Sequence, residues 1–78
     1  MIRFNELERF DSVVCSIECR TKENGIYLNL DGLDDDIKPI VKAYNWYGSI
    51  GDKVLCSVQK IDKERNYIRV SVDSMLAA

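Results

Sequence analysis

The sequence predicts an all-β protein, a small closed barrel of five strands, and three observations predict it. Apolar and polar residues alternate along several short stretches, the period-2 pattern of strands with one wet face. Turn-forming residues separate those stretches about every ten positions. The chain has 78 residues, and at that size closing the sheet on itself removes edges that a short open sheet would leave unpaired.

The first strand runs from Ser12 to Arg20, where Val13, Cys15, Ile17 and Cys19 share one parity and Ser16, Glu18 and Arg20 the other. Asn24-Gly25 then supplies the positive φ angles of a tight hairpin turn. In the second strand Ile26, Leu28 and Leu30 alternate with outward Tyr27 and Asn29. Leu33 and Ile37 suit a short third strand, Pro39 interrupts ladder pairing, and Ile40, Val41, Tyr44 and Tyr47 have the spacing of one or two helical turns. The turn Ser49 to Asp52 leads into a fourth strand, with Val54, Cys56 and Val58 alternating with Leu55, Ser57 and Gln59. Asp62 to Asn66 turns back into a fifth, with Ile68, Val70 and Val72 between Tyr67, Arg69, Ser71 and Asp73. Five strands with an interruption after the third suit a five-stranded Greek-key barrel of the OB type. A short helix or turn is expected between strands 3 and 4, and residues 1–78 form one domain.

Parity assigns the interior. Cys15, Ile17, Ile26, Leu28, Val54, Cys56, Val58, Ile68 and Val70 are expected to be buried together, with Tyr27 and Arg69 outside. A barrel this small needs bulky side chains to close its ends, and one or two of Tyr44, Trp46 and Tyr47 are the expected plug.

Composition excludes several classes of function. Eleven Lys+Arg against 13 Asp+Glu leave a net charge of −2, so the molecule as a whole is not drawn to a polyanion. The charges are segregated, however: acid collects between Asp31 and Asp36, while Lys60, Lys63, Arg65 and Arg69 gather toward the C-terminus. No apolar run approaches the roughly 20 residues that span a bilayer, so a cytoplasmic protein with no membrane partner is expected. Three cysteines fit a reducing compartment. Cys15 and Cys19 lie about 13 Å apart along a strand, too far to share an ion, so with Cys56 they read as small buried hydrophobes and no metal is expected. With no histidine, and no Ser or Cys placed with a triad partner, neither catalysis nor a cofactor is expected.

Two stretches resemble a known family. The run Gly51-Asp52-Lys53-Val54, a strand, Ile61-Asp62, a charged turn and an alternating strand is similar to the closing half of an S1 domain. The earlier stretch Asn24-Gly25-Ile26-Tyr27-Leu28 resembles the family's hairpin Phe-Gly-Ala-Phe-Val, followed by Gly32-Leu33. S1 domains are OB-fold modules that bind single-stranded RNA through outward aromatic, basic and polar residues. The resemblance places the family's second hairpin aromatic on Tyr27 and its first on Asn24. It sets the family's aspartate on Asp62 and its histidine near Asp34 or Asp35. Tyr67 replaces the arginine that opens the last strand, with Arg65 and Arg69 flanking it. The expected partner is therefore single-stranded RNA or DNA, RNA favoured, bound weakly by Arg20, Tyr27, Asn29, Lys60, Arg65, Tyr67 and Arg69. The alternative is a protein-interaction module using the acidic face and the aromatic cluster around Trp46.

Overall fold

The computed structural model describes residues 3–21, 25–33, 38–45 and 48–76. Five strands, β1 (Ser12–Arg20), β2 (Ile26–Leu30), β3 (Ile40–Ala43), β4 (Lys53–Asp62) and β5 (Tyr67–Met75), close into a barrel in the order β1-β2-β3-β5-β4. All neighbouring pairs are antiparallel except β3 and β5, which run parallel. A 3₁₀ turn, Phe4–Glu6, precedes the barrel.

The interior is the one that parity dictates: all nine predicted core residues are buried, joined by Val13, Leu30, Val41, Ala43 and Val72. Among the described residues no polar or charged side chain is buried. Among the described residues the largest fully buried side chains are Ile17, Ile26 and Ile68. Phe4 and Leu7 join the core from the N-terminal turn, at 3% and 6% exposure. Residues i and i+3 of a 3₁₀ turn stack on one side, which lets both point inward, and Lys63 Nζ holds the turn by donating to Asn5 O at 3.1 Å.

Of the three aromatics expected to plug the barrel, Tyr44 is 46% exposed and stays outside, while Trp46 and Tyr47 lie outside the described residues. The third strand is corrected. It occupies Ile40–Ala43, which the spacing suggested was helical, and its sides alternate strictly, with Val41 and Ala43 inside and Ile40 and Lys42 outside. Leu33 packs against the core and Ile37 lies outside the described residues. Pro39 interrupts no ladder, because it stands just before the strand. Between β1 and β2 the loop of residues 21–25 is longer than a two-residue turn, and a Thr21 N–H to Gly25 O bond of 2.9 Å closes it; Asn24 lies outside the described residues.

Cys19 is a further correction, since it is exposed while Cys15 and Cys56 are buried. A β-bulge between Ile17 and Cys19 shifts the register, so that Ile17 pairs with Leu28 but Cys19 pairs with Tyr27. One extra residue reverses every side chain beyond it. Inside, the Cys56 thiol and then burial push the Cys15 thiol far above its usual pKa.

Where β3 stops, Asn45 continues its work. Its side-chain amide donates to Val72 O at 3.0 Å and to Ser71 Oγ at 3.1 Å, and its Oδ1 accepts the Val72 N–H at 3.0 Å. A side chain thus satisfies the β5 backbone that the short neighbouring strand cannot reach.

Two predictions follow from this packing. Phe4→Ala should lower the unfolding free energy by about 3–5 kcal/mol, read as a fall in the urea midpoint. In native protein a thiol reagent should label Cys19 rapidly and Cys15 and Cys56 only as fast as the barrel opens; equal slow labelling of all three would contradict the bulge.

Candidate nucleic-acid interface

Barrel closure brings outward side chains from four strands into one row. Tyr27 on β2 pairs with Lys42 on β3, Lys42 stands level with Arg69 on β5, and Arg69 pairs with Lys60 on β4. Three strand spacings of about 4.8 Å make the row about 15 Å long.

Lys42 sits at the aromatic end of this row. Its ammonium lies 4.9 Å from the centroid of the Tyr27 ring, a cation–π contact. A hydrogen bond with Tyr27 holds its pKa above the ordinary lysine value, and Tyr44 and Tyr67 act in the same direction. Tyr67 flanks the row, opposite Ile40 on β3 and Asp62 on β4. Burial, and then a hydrogen bond with Tyr44, push its phenol upward.

Tyr44 is held in place from two sides. Asn45 pins the chain to β5, and Gly25 leaves room for the ring: a Cβ there would come within 2.9 Å of both Ala43 O and Tyr44 Cδ1. A hydrogen bond from Gly25 N–H to Thr21 Oγ1 fixes that approach at 3.0 Å.

The sequence-predicted residues divide between this face and its surroundings. Tyr27, Lys60, Tyr67 and Arg69 come together, and Asn29 is half-buried two residues from Tyr27, opposite Ser16. Arg20 is exposed at the end of β1 opposite Ile26; the bulge brings Cys19, where a regular ladder would bring Glu18, beside Tyr27. Arg65 is in the β4–β5 turn with Nε 3.9 Å from the Asp62 carboxylate. Asp62 Oδ1 accepts the N–H groups of Glu64 and Arg65 at 3.1 Å each, so this carboxylate shapes the turn. Lys42 and Tyr44 are the members that sequence reasoning missed. The signal available was the alternation Ile40, Val41, Lys42, Ala43 directly after a proline.

The motif Gly51-Asp52 has a structural task. Gly51 adopts φ +94°, which a side chain disfavours. Its N–H donates to Ile17 O, and the Ile17 N–H donates to Asp52 O, both at 2.9 Å. The acidic run begins at Asp31, whose Oδ1 accepts from Ser16 Oγ at 2.9 Å and whose Oδ2 lies 3.4 Å from Lys53 Nζ. Asp34, Asp35 and Asp36 lie outside the described residues.

Ion pairs sort the cations. Among the described residues, carboxylates pair with Lys38, Lys53 and Arg65, and none pairs with Lys42, Lys60 or Arg69. Among the described residues no three His, Cys, Asp or Glu cluster closely enough to hold a metal ion, and no helix is long and apolar enough to cross a membrane.

No protein-family model matches the chain. Over 74 residues it is 31% identical to small ribosomal subunit protein bS1 of Helicobacter pylori, an alignment that covers 88% of this chain and 13% of that protein. The chain thus spans about an eighth of its relative's length. Its fold superposes with a TM-score of 0.64 on a chain from the a/eIF2alpha-aDim2p-rRNA complex of Pyrococcus horikoshii, at 24% identity, covering 85% of this chain and 44% of that one. With its closed strand order and this sequence match, the chain is an S1-like domain of the OB-fold superfamily.

Proposed function

We propose that the protein binds single-stranded RNA, weakly and without catalysis or cofactor, on the outer face that β2, β3, β5 and β4 share. Tyr27, Tyr44 and Tyr67 offer faces for bases, and Lys42, Arg69 and Lys60 contact phosphate. One observation carries the reading. Lys42, Arg69 and Lys60 occupy adjacent cross-strand positions with no described carboxylate between them, although the chain is acidic overall. Like charges placed side by side on a sheet are destabilising. A bound polyanion relieves that repulsion, and the neighbouring rings suit the unstacked bases of a single strand better than a duplex. The relatives support the choice of ligand, since one is a ribosomal protein and the other belongs to a complex containing rRNA. Asn29 borders the path, whereas Arg20 and Arg65 stand at its margins. The cytoplasm is the natural setting for this activity.

Tyr27→Ala should cost about 1–3 kcal/mol of binding, the worth of one stacked base, in a titration of labelled protein with short RNA. Three phosphate contacts at about 0.7 each give a log–log salt slope of about −2. Saturable binding that ignores both salt and Tyr27 would overturn the mechanism.

Lys60→Gln supplies a test with opposite signs. Removing one of two facing cations should leave the free barrel as stable or a few tenths of a kcal/mol more stable, while RNA affinity falls and the salt slope becomes shallower by about 0.7. Loss of stability together with unchanged affinity would identify Lys60 as merely structural.

A further inference from the structure

A cavity of about 220 Å³ opens beside Tyr27, lined by Glu18, Cys19, Leu28, Lys38, Pro39 and Ile40 among others. It belongs to the edge of the proposed RNA path, because Tyr27 borders both. Its walls are mainly apolar, Ile40 being 49% exposed, and its polar groups are few. Glu18 and Lys38 stand together at its rim, with Lys38 Nζ 3.5 Å from Glu18 Oε1.

A carboxylate beside an RNA path needs a reason, since it repels phosphate. The bulge supplies it. Glu18 is the extra residue between Ile17 and Cys19 that has no partner in β2, and bulges re-aim side chains next to functional sites. Here the bulged residue lines a cavity instead of continuing the strand's alternation.

We propose that this cavity reads a guanine base, a reading that rests on the RNA-binding function above. An ammonium beside a carboxylate presents one donor and two acceptors along a short edge. The Watson–Crick edge of guanine presents the complement, with O6 accepting and N1–H and the 2-amino group donating. Splayed bases in single strands are recognised on this edge. Adenine offers a donor and an acceptor in the wrong order, and uracil flanks its single N–H with two carbonyls that a carboxylate repels. Cytosine offers one donor beside two acceptors. Only guanine gives the carboxylate two adjacent donors while giving Lys38 an acceptor. Tyr27 and Ile40 then cover the faces of the ring.

The test uses the whole protein and uridine octamers carrying one central guanosine, adenosine or inosine, followed by fluorescence anisotropy. The guanosine oligomer should bind about tenfold more tightly than the adenosine one, the scale of a bidentate base contact. Inosine, which lacks the 2-amino group, should lose most of that advantage. Glu18→Gln should abolish the preference of guanosine over adenosine, and Lys38→Ala should weaken it. Equal binding of all three oligomers, or a guanosine preference that survives Glu18→Gln, overturns this inference while leaving RNA binding intact. Failure to bind any octamer overturns the functional reading along with it.

Discussion

The parallel pairing of β3 with β5 is the constraint on which the rest of the molecule depends. It is short, resting on Ile40 with Tyr67, Val41 with Ile68, and Lys42 with Arg69. Every other seam joins strands by antiparallel pairing, including the long β4–β5 hairpin. Without the β3–β5 seam the sheet would be open, with β3 at one edge and β5 at the other, and Lys42 and Arg69 would be parted. With it, two inward residues, Val41 and Ile68, seal the core while their neighbours Lys42 and Arg69 meet outside. Closure and the basic row are one geometric event. Asn45 extends the seam past the end of β3, which also anchors Tyr44 against Tyr67.

Bulges then refine what the closed barrel presents. On β4 the register slips between Val58 and Lys60, so Val58 pairs with Val70 but Lys60 pairs with Arg69. A regular ladder would place Gln59 opposite Arg69. The extra residue exchanges an amide for an ammonium and lengthens the basic row to its third member. The β1 bulge acts in the same way at the far side, releasing Cys19 from the core and turning Glu18 out of the ladder. The β4 bulge lies on the strand next to the seam and the β1 bulge one strand further on, and both change which side chain is outward beyond them.

This explains which parts were legible in the sequence. Strict alternation in β2, β4 and β5 assigned Ile26, Leu28, Val54, Cys56, Val58, Ile68 and Val70 to the core, because one wet face imposes a period of two. The same rule failed at Cys19, since a bulge adds a residue without leaving a mark in hydropathy. Ile40, Val41, Tyr44 and Tyr47 imitated a helical spacing over a strand of four residues, too short for its own period to dominate; Lys42 and Tyr44 were lost to the site with it. Phe4 and Leu7 were missed as core residues because two apolar residues three apart define no pattern by themselves. Tyr27, Tyr67, Arg69 and Lys60 were legible as outward residues, but their proximity was not. That depends on barrel closure, which joins strands distant in sequence.

Net charge is a poor guide to such a surface because it ignores pairing and distance. At physiological salt the Debye length is about 8 Å, shorter than the roughly 15 Å row. A phosphate near Arg69 is therefore governed by Lys42 and Lys60 on the adjacent strands far more than by acids across the barrel. The nearer acids are partly spent locally: Asp31 lies against Lys53 and Ser16, Asp62 shapes its turn beside Arg65, and Glu18 meets Lys38. Each pairing lowers the field that its carboxylate sends outward. Among the described residues no carboxylate pairs with the three row cations, so none offsets their charge directly. An acidic protein can in this way carry a cationic track, and the overall charge of −2 acts on the approach of a polyanion more than on its contact. Under the proposed RNA-binding reading, encounter is slowed while local attraction is kept, which favours ligands able to place bases on Tyr27 and Tyr67 over those that offer phosphate alone.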